Sequence, residues 1–475
     1  MKLQLALIIT LIFMADVVSA QEDNLIHVNG DSLVGKMING ESIREVRGHV
    51  VMTQGTVRIN CDKAIQYIAK NQAELIGNVV VTQDSIIIKT DRGFYYGDTK
   101  IAYSVSGIWL TDGHVQLSST NGYYYFDDKH SHFYGNVKLV DSLSTLTSDK
   151  LDYYDNDDKS IAVGNVYVQD TSSTIISDSL IHLRKDRITF AFKHVRIYDP
   201  SNHLAIFGNE LDNYDKKKYS RISGLPFLIK IDTTSTGALD TLFISSKLME
   251  SYDDSTKKLI ATDSVRIVRQ NFASVNGLAY YYQKKQELQT FKRENDSYPP
   301  VIWNDNTQLV GDSISVFMKD NRLDWMDIRS NASIISTHKD SLNRFDQISG
   351  KKIKLFFDKN GLQRTEVEGN VLSIYYLYED KEPNGLLKSS SERANIFFKE
   401  KVVNDVRLYG KPASEYHPEN TIAGKEKDFT IPTFKIYSNE PTKENLLFPR
   451  KDILSYLIKD YQFYAGKINP PKRKP

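Results

Sequence analysis

The sequence is poor in the features that usually staple or recruit an exported chain. It carries one cysteine, Cys61, so no disulfide can form within it and no zinc site built from several thiolates is possible. Proline is scarce, at 13 residues. Charge of one sign is lacking too. Lys and Arg number 61 against 60 Asp and Glu, a net charge of +1, which leaves no bulk field to recruit nucleic acid or an anionic membrane surface. The apolar run from Leu3 to Met14 falls well short of the roughly 20 residues a membrane-spanning helix needs. No glycine loop suited to phosphate is found, and no carboxylate pair stands out from the scatter of Asp. What is abundant is tyrosine, 28 residues beside 21 Phe and 3 Trp. An apolar ring with a polar tip suits half-wet sheet surfaces and groove edges. At 475 residues the chain has room for two to four domains.

The first twenty residues read as an export signal. Met1 and Lys2 form a short basic start, the apolar run follows, and Val18-Ser19-Ala20 supplies small residues ahead of a cut between Ala20 and Gln21. No cysteine follows the cut, which excludes lipoprotein-type attachment. The expected mature chain is soluble and lies in the periplasm, with outer-membrane association left open.

A tripeptide Gly-(Asn/His)-Val recurs at Gly48-His49-Val50, Gly77-Asn78-Val79, Gly113-His114-Val115, Gly135-Asn136-Val137 and Gly164-Asn165-Val166. It returns at Gly369-Asn370-Val371, with a degenerate form at Lys193-His194-Val195. The first five are 29, 36, 22 and 29 residues apart, the mark of small units that must stack to bury a face. After each tripeptide apolar residues alternate, as strands with one apolar face require. The inward candidates are Val50, Met52, Val79, Val81, Val115, Leu117, Val137, Leu139, Val166 and Val168. Val265 and Ile267 hold equivalent places further on. Between the tripeptides lies a second block, a polar start followed by aromatics, as in Asp62-Lys63-Ala64-Ile65-Gln66-Tyr67 and Asp149-Lys150-Leu151-Asp152-Tyr153-Tyr154. Gly, Asn and Asp at the joints fit tight turns. The expected fold class is all-β, built of short antiparallel strands.

The expected organisation is a signal peptide over 1–20, a first repeat region over 21–212, an irregular connection over 213–239, and a second, looser repeat region over 240–416. Residues 417–475 read as a solvated tail, with a short helix behind Pro449.

These features together resemble the OstA-like family of lipopolysaccharide-transport proteins, most clearly over 24–200 and more weakly over 240–415. The resemblance implies stacked, open two-sheet β-jellyroll units whose apolar interior cradles lipid A acyl chains. It also implies partnership with other lipopolysaccharide-transport proteins by end-to-end strand pairing, with self-association as a further outcome. The chain has roughly twice the repeats of the short bridging members, and it lacks room for the barrel of the assembly members.

Catalytic and metal readings are weaker. Gly30-Asp31-Ser32-Leu33 and Gly311-Asp312-Ser313-Ile314 echo a secreted esterase motif, but no Asp-x-x-His pair follows late in the chain, and both copies fall where a strand begins. His130 and His132 share a strand face without a carboxylate or thiolate at Ser131 or Phe133 to complete a metal shell. Cys61 is expected to be buried. The chain is therefore read as non-enzymatic, with no metal, cofactor or nucleic acid. The alternative is a secreted β-solenoid, structural or carbohydrate-active, whose repeats would be more regular than 29, 36, 22 and 29.

Overall fold

The computed structural model describes residues 25–233, 239–319, 322–338, 343–380, 382–400 and 402–450, together with 452, 453 and 455. The signal segment with its Ala20/Gln21 cut, and the last twenty residues of the tail, lie outside these. Most of the described chain is strand, and the described strand pairings are antiparallel. The fold class is the all-β one expected. The chain divides into two compact units, Met1–Ile197 and Tyr198–Pro475.

The first unit is built on one repeated device. The strand Glu41–Gln54 pairs through residues 41–47 with Ser32–Ile38 and through residues 51–53 with His27–Asn29. Between these halves its register with Val57–Tyr67 breaks, at Gly48 and His49. Both of those residues are left-handed, with φ of +75° and +44°. Two consecutive left-handed residues insert a bulge and turn the strand, so that its two halves serve different sheets. We call this place a corner. Gly77-Asn78, Gly135-Asn136, Gly164-Asn165 and Lys193-His194 repeat it.

The fifth tripeptide is a correction. Gly113-His114-Val115 is no corner but part of the loop between Ile108–Thr111 and Gln116–Ser119. There Asp112 Oδ1 accepts the N–H groups of His114 and Val115, each at 2.7 Å. It resembles a corner because a tight loop also needs a left-handed glycine, here with φ +90°. The equivalent place is Ser106-Gly107, where the strand is interrupted and Gly107 alone is left-handed, with φ +89°. With that substitution the corners stand at 48, 77, 106, 135, 164 and 193, a constant step of 29 residues. The regularity that a solenoid would show is therefore present, yet the antiparallel pairing is unlike a solenoid's parallel coils.

Side chains tie each corner to its neighbour. Asn78 Nδ2 donates to Asp62 Oδ2 and Asn165 Nδ2 to Asp149 Oδ2, both at 2.9 Å, while His49 and His194 meet Asp31 and Asp178 at 2.8 and 2.9 Å. Opposite the corners the hydroxyls of Thr90, Ser119, Ser148 and Ser177 donate to the backbone carbonyl two residues on. Cys61 occupies that place one repeat earlier, its thiol 3.3 Å from the Lys63 carbonyl. Burial pushes the thiol up to about 11. The lone cysteine is thus a structural donor standing where other repeats have a hydroxyl.

The second unit uses the same corner at Asp263-Ser264, Ser330-Asn331 and Gly369-Asn370, each beside a register break. Asn331 Nδ2 donates to Asp312 Oδ2 at 2.9 Å. This uses the second Gly-Asp-Ser motif as part of a corner. Strands here reach 19 residues, as in Gly361–Glu379. Residues 213–239 carry the strands Tyr219–Ser223 and Phe227–Thr233.

The reading of 417–450 as solvated is corrected. Ile422 and Ile431 pack in a cluster with Ile374, Tyr376 and Leu386, and Leu446 and Leu447 are buried. Gln347 gives its amide to the Phe429 carbonyl and accepts the Ile431 N–H. Gln308 does the same for Lys435 and Tyr437. Arg344 forks onto Glu419 at 2.5 and 3.1 Å. Further along, Lys443 lies over the Phe243 ring and Arg450 over that of Phe227. The segment is a strap against the second unit, its backbone satisfied by side chains instead of a strand ladder. A helix does form, at Lys443–Leu447, just ahead of the expected one, most of which lies outside the described residues.

Two outcomes are expected in urea unfolding. A Cβ at Gly77 would enforce left-handed strain and strike the Asp62 carboxylate, so Gly77→Ala should cost about 1–2 kcal/mol or more. Gly35, with open space around its Cβ position, should accept alanine with little change. Cys61→Ser should stay within about 0.5 kcal/mol of the parent, since serine fills the same place in later repeats.

Candidate binding trough

Each corner leaves a pair of sheets joined on one side and free on the other, so the fate of the free margin decides whether the interior is a core or a groove. In the first unit the margin is bonded shut. The Tyr95 hydroxyl donates to Gln54 Oε1 at 2.6 Å, and Gln54 Nε2 to the Gly97 carbonyl at 3.0 Å. Two repeats later the Tyr153 hydroxyl donates to Asp112 Oδ2 at 2.7 Å, where Arg184 also arrives, at 3.4 Å. Lys129 reaches Asp84 at 2.8 Å. Gln83 and Tyr124 stand at the intermediate positions, so 54, 83, 112 and 95, 124, 153 keep the same step of 29, but no bond forms there: the Gln83 Oε1 and the Tyr124 hydroxyl are buried without a partner, and Gln83 Nε2 donates to Thr56. Burial raises the hydroxyls of Tyr95, Tyr124 and Tyr153 far above the usual tyrosine value. For Asp112 burial pushes the carboxyl up, but the N–H of Val115, the Tyr153 hydroxyl and the N–H of His114 outweigh it and hold it below the usual aspartate range.

Nine of the ten inward candidates, Val50, Met52, Val79, Val81, Val115, Leu117, Val137, Leu139 and Val166, are buried behind this margin, and Val168 is half-buried. Register puts Met52, Val81, Leu117, Leu139 and Val168 in one cross-strand row, in which Ile59, Ile88, Leu110 and Leu146 fill the places between. Val115 and Leu117 join it from the loop and the strand after it. The places that follow the corner in that repeat belong to Ile108 and Leu110.

The open space lies in the second unit. A cavity of about 1460 Å³ runs between its sheets, walled by Leu242, Ile244, Ile267, Leu288, Leu309, Val316, Met326, Ile348, Leu355 and Ile396. Arg269–Phe272 and Asn304–Thr307 line it from the margin of one sheet, Met318 and Phe357–Leu362 from that of the other. The space therefore reaches the margin that the first unit keeps bonded, here crossed by a contact of Arg269 Nη1 with Met318 Sδ at 3.6 Å. At its carboxyl-terminal end Val402, Val403, Val406 and Leu408 of the strand Val402–Tyr409 line it, and Val402 and Val406 are 63% and 50% exposed. At the other end stand Lys230, Asp232, Asp240 and Arg269.

None of the ten candidates lines this cavity, although Ile267, which the alternation placed in an equivalent position, does. Its other walls follow the same period-two pattern, the signal by which they could have been chosen. The histidine pair is placed differently from its sequence reading. The neighbouring strand supplies a carboxylate, Asp152, bonded to His130 at 3.1 Å and His132 at 2.8 Å, and His130 stacks on Tyr154. Among the described residues no group of three side chains is arranged to hold a metal.

The bonded margin has a pH signature. A depressed carboxyl contributes stability above its unfolded value, about 3.9, and loses it as pH falls through the lower folded value. Asp112→Asn should cost about 1–3 kcal/mol near neutral pH. In urea titrations that gap from the parent should shrink steadily as the pH drops below 4.

The model of a family described as OstA-like protein matches residues 23–112 and 99–149. Among solved structures a match is LptH, described as the LptA-homologous periplasmic component of the conserved lipopolysaccharide transport device of Pseudomonas aeruginosa. It is 14% identical, with 28% of this chain and 78% of that chain covered and a TM-score of 0.15. No curated protein matches. The family match thus spans residues 23–149, which hold the first four corners and most of the bonded margin.

Proposed function

We propose that this chain is an exported, non-enzymatic carrier in lipopolysaccharide transport, and that it holds acyl chains in the trough of its second unit. The observation that carries the reading is the contrast between the units: one corner design gives a bonded, filled interior in the first and an apolar trough reaching the margin in the second. Each methylene moved from water into such a space contributes about 0.8 kcal/mol, so several chains can be held with few polar contacts. The OstA-like match supports lipopolysaccharide as the source of those chains. In the first unit the row Met52, Val81, Leu117, Leu139 and Val168 becomes a lipid surface only when the margin bonds part. The export signal would deliver the chain to the periplasm by a cut between Ala20 and Gln21.

Partners are proposed at the strand edges. The strand Ser32–Ile38 is exposed throughout, with Leu33, Val34, Met37 and Ile38 among its open apolar side chains, and it pairs on one edge with residues 41–47. The strand Val402–Tyr409 pairs with residues 393–399 and exposes Val402, Val406 and Tyr409. Unpaired edges of this kind accept a strand from another transport protein or from a second copy.

Photo-crosslinking in cells tests the assignment. A reactive residue at Leu355 or Ile348 should capture lipopolysaccharide, with weaker capture at Val81 and Leu139 and background at Val80 and Lys138. Capture at Val80 and Lys138 but not at Leu355 would refute it.

A further inference from the structure

The trough's inner walls are apolar and charged residues such as Asp305, Arg322, Asp358 and Lys359 stand around it, while its amino-terminal end holds a cluster of four, Lys230, Asp232, Asp240 and Arg269. Lys230 Nζ lies 2.8 Å from Asp232 Oδ1, and Arg269 contacts Asp240 Oδ2 through Nε at 2.8 Å and Nη2 at 2.6 Å. Arg269 Nη2 also lies 3.8 Å from Asp232. Charges removed from water need opposite partners, and here each has one and the four sum to zero.

Two atoms are left over, Asp240 Oδ1 and Arg269 Nη2. Asp240 is only 5% exposed, its Oδ2 is taken by Arg269, and its Oδ1 is buried with no hydrogen-bond partner. Buried carboxylate oxygens almost always have a donor. Asp240 and Arg269 both line the cavity, so a group in the trough that meets Oδ1 as a donor can also face the unsatisfied Nη2.

We propose that Asp240 Oδ1 accepts a hydrogen bond from a neutral donor on the bound lipid, a hydroxyl or an amide N–H carried by an acyl chain. Lys230, Asp232 and Arg269 act as positioning residues that fix the carboxylate. The donor is neutral because the four charges already cancel, and an ammonium would bring an unbalanced charge into an apolar space. An unsubstituted chain leaves Oδ1 bare, so the site discriminates against it, as polar sites do against ligands lacking the matching group. The inference rests on the reading that the trough holds acyl chains and names which chains it prefers.

The test uses the purified full-length chain and three probes of equal chain length that compete with an environment-sensitive dye: a saturated fatty acid methyl ester, the same ester with a hydroxyl on its chain, and the N-methylamide. Tighter binding of the hydroxylated ester or of the amide, by about tenfold over the plain ester, is the expected result, and which of the two gains identifies the donor. Asp240→Leu combined with Arg269→Met replaces the buried pair by apolar side chains. That variant should bind the plain ester at least as well as the parent and show no preference. Equal binding of all three by the unaltered protein overturns the proposal without needing any variant, as does a preference that survives the double substitution. If none of the three binds, the lipid reading of the trough fails and this assignment falls with it.

Discussion

The structure depends on the corner. Two consecutive left-handed residues break the register of a long strand and send its halves into different sheets, and an Asn or His on the corner bonds an Asp one strand back. Left-handed backbone is tolerated by few residues, so the device has a chemical signature, Gly followed by Asn or His. Because each corner of the first unit repeats the last at 29 residues, everything attached to it repeats there as well: the apolar row, the hydroxyl opposite the corner and the tyrosine at the margin. The abundance of tyrosine is in part this periodicity, since Tyr95, Tyr124 and Tyr153 are one position three times over.

A corner joins two sheets along one side only. The first unit closes the other side with Tyr–Gln, Tyr–Asp and Lys–Asp contacts, and its apolar row becomes a packed core. In the second unit that side carries the opening of a large apolar trough. There the strap from Pro418 to Arg450 packs on the sheet that bears Phe243, Trp303 and Gln347, so this sheet is covered by chain where its strands alone would leave apolar groups wet. The strap and the trough share Gln347 and Ile374, which both contribute to the cavity lining and contact the strap. Seating of the strap thus supports one wall of the binding space.

Much of this was legible in the sequence, and the exceptions have physical causes. The corners at Gly48, Gly77, Gly135, Gly164 and Gly369 announce themselves, and the all-β class follows from the alternation after them. The corners at Asp263-Ser264 and Ser330-Asn331 do not, because a bulge held by its neighbours will accept residues that only tolerate positive φ, and the one at Ser106-Gly107 does not, because its single left-handed residue is the second of the pair. Gly113 misled for the converse reason: a short loop makes the same demand on its backbone. The strap escaped notice because Ile422, Ile431, Tyr437 and Leu446 follow no period, and their burial depends on Gln308, Gln347 and Arg344, distant in the chain. The trough escaped for a similar reason. Whether a margin is bonded or open depends on contacts such as Gln54 with Tyr95, 41 residues apart, which alternation cannot reveal.

A carrier needs an interior that stays accessible and a scaffold that does not collapse onto it. One repeat serves both ends here, filled and bonded in one unit, hollow and braced by a strap in the other. The central claim is that lipid occupies the second unit. Hydrogen exchange of the full chain with and without lipopolysaccharide tests it most directly: the account predicts added protection in Phe345–Asp358, Gly361–Glu379 and Glu382–Lys399 with residues 41–169 unchanged, and protection confined to residues 41–169 would contradict it.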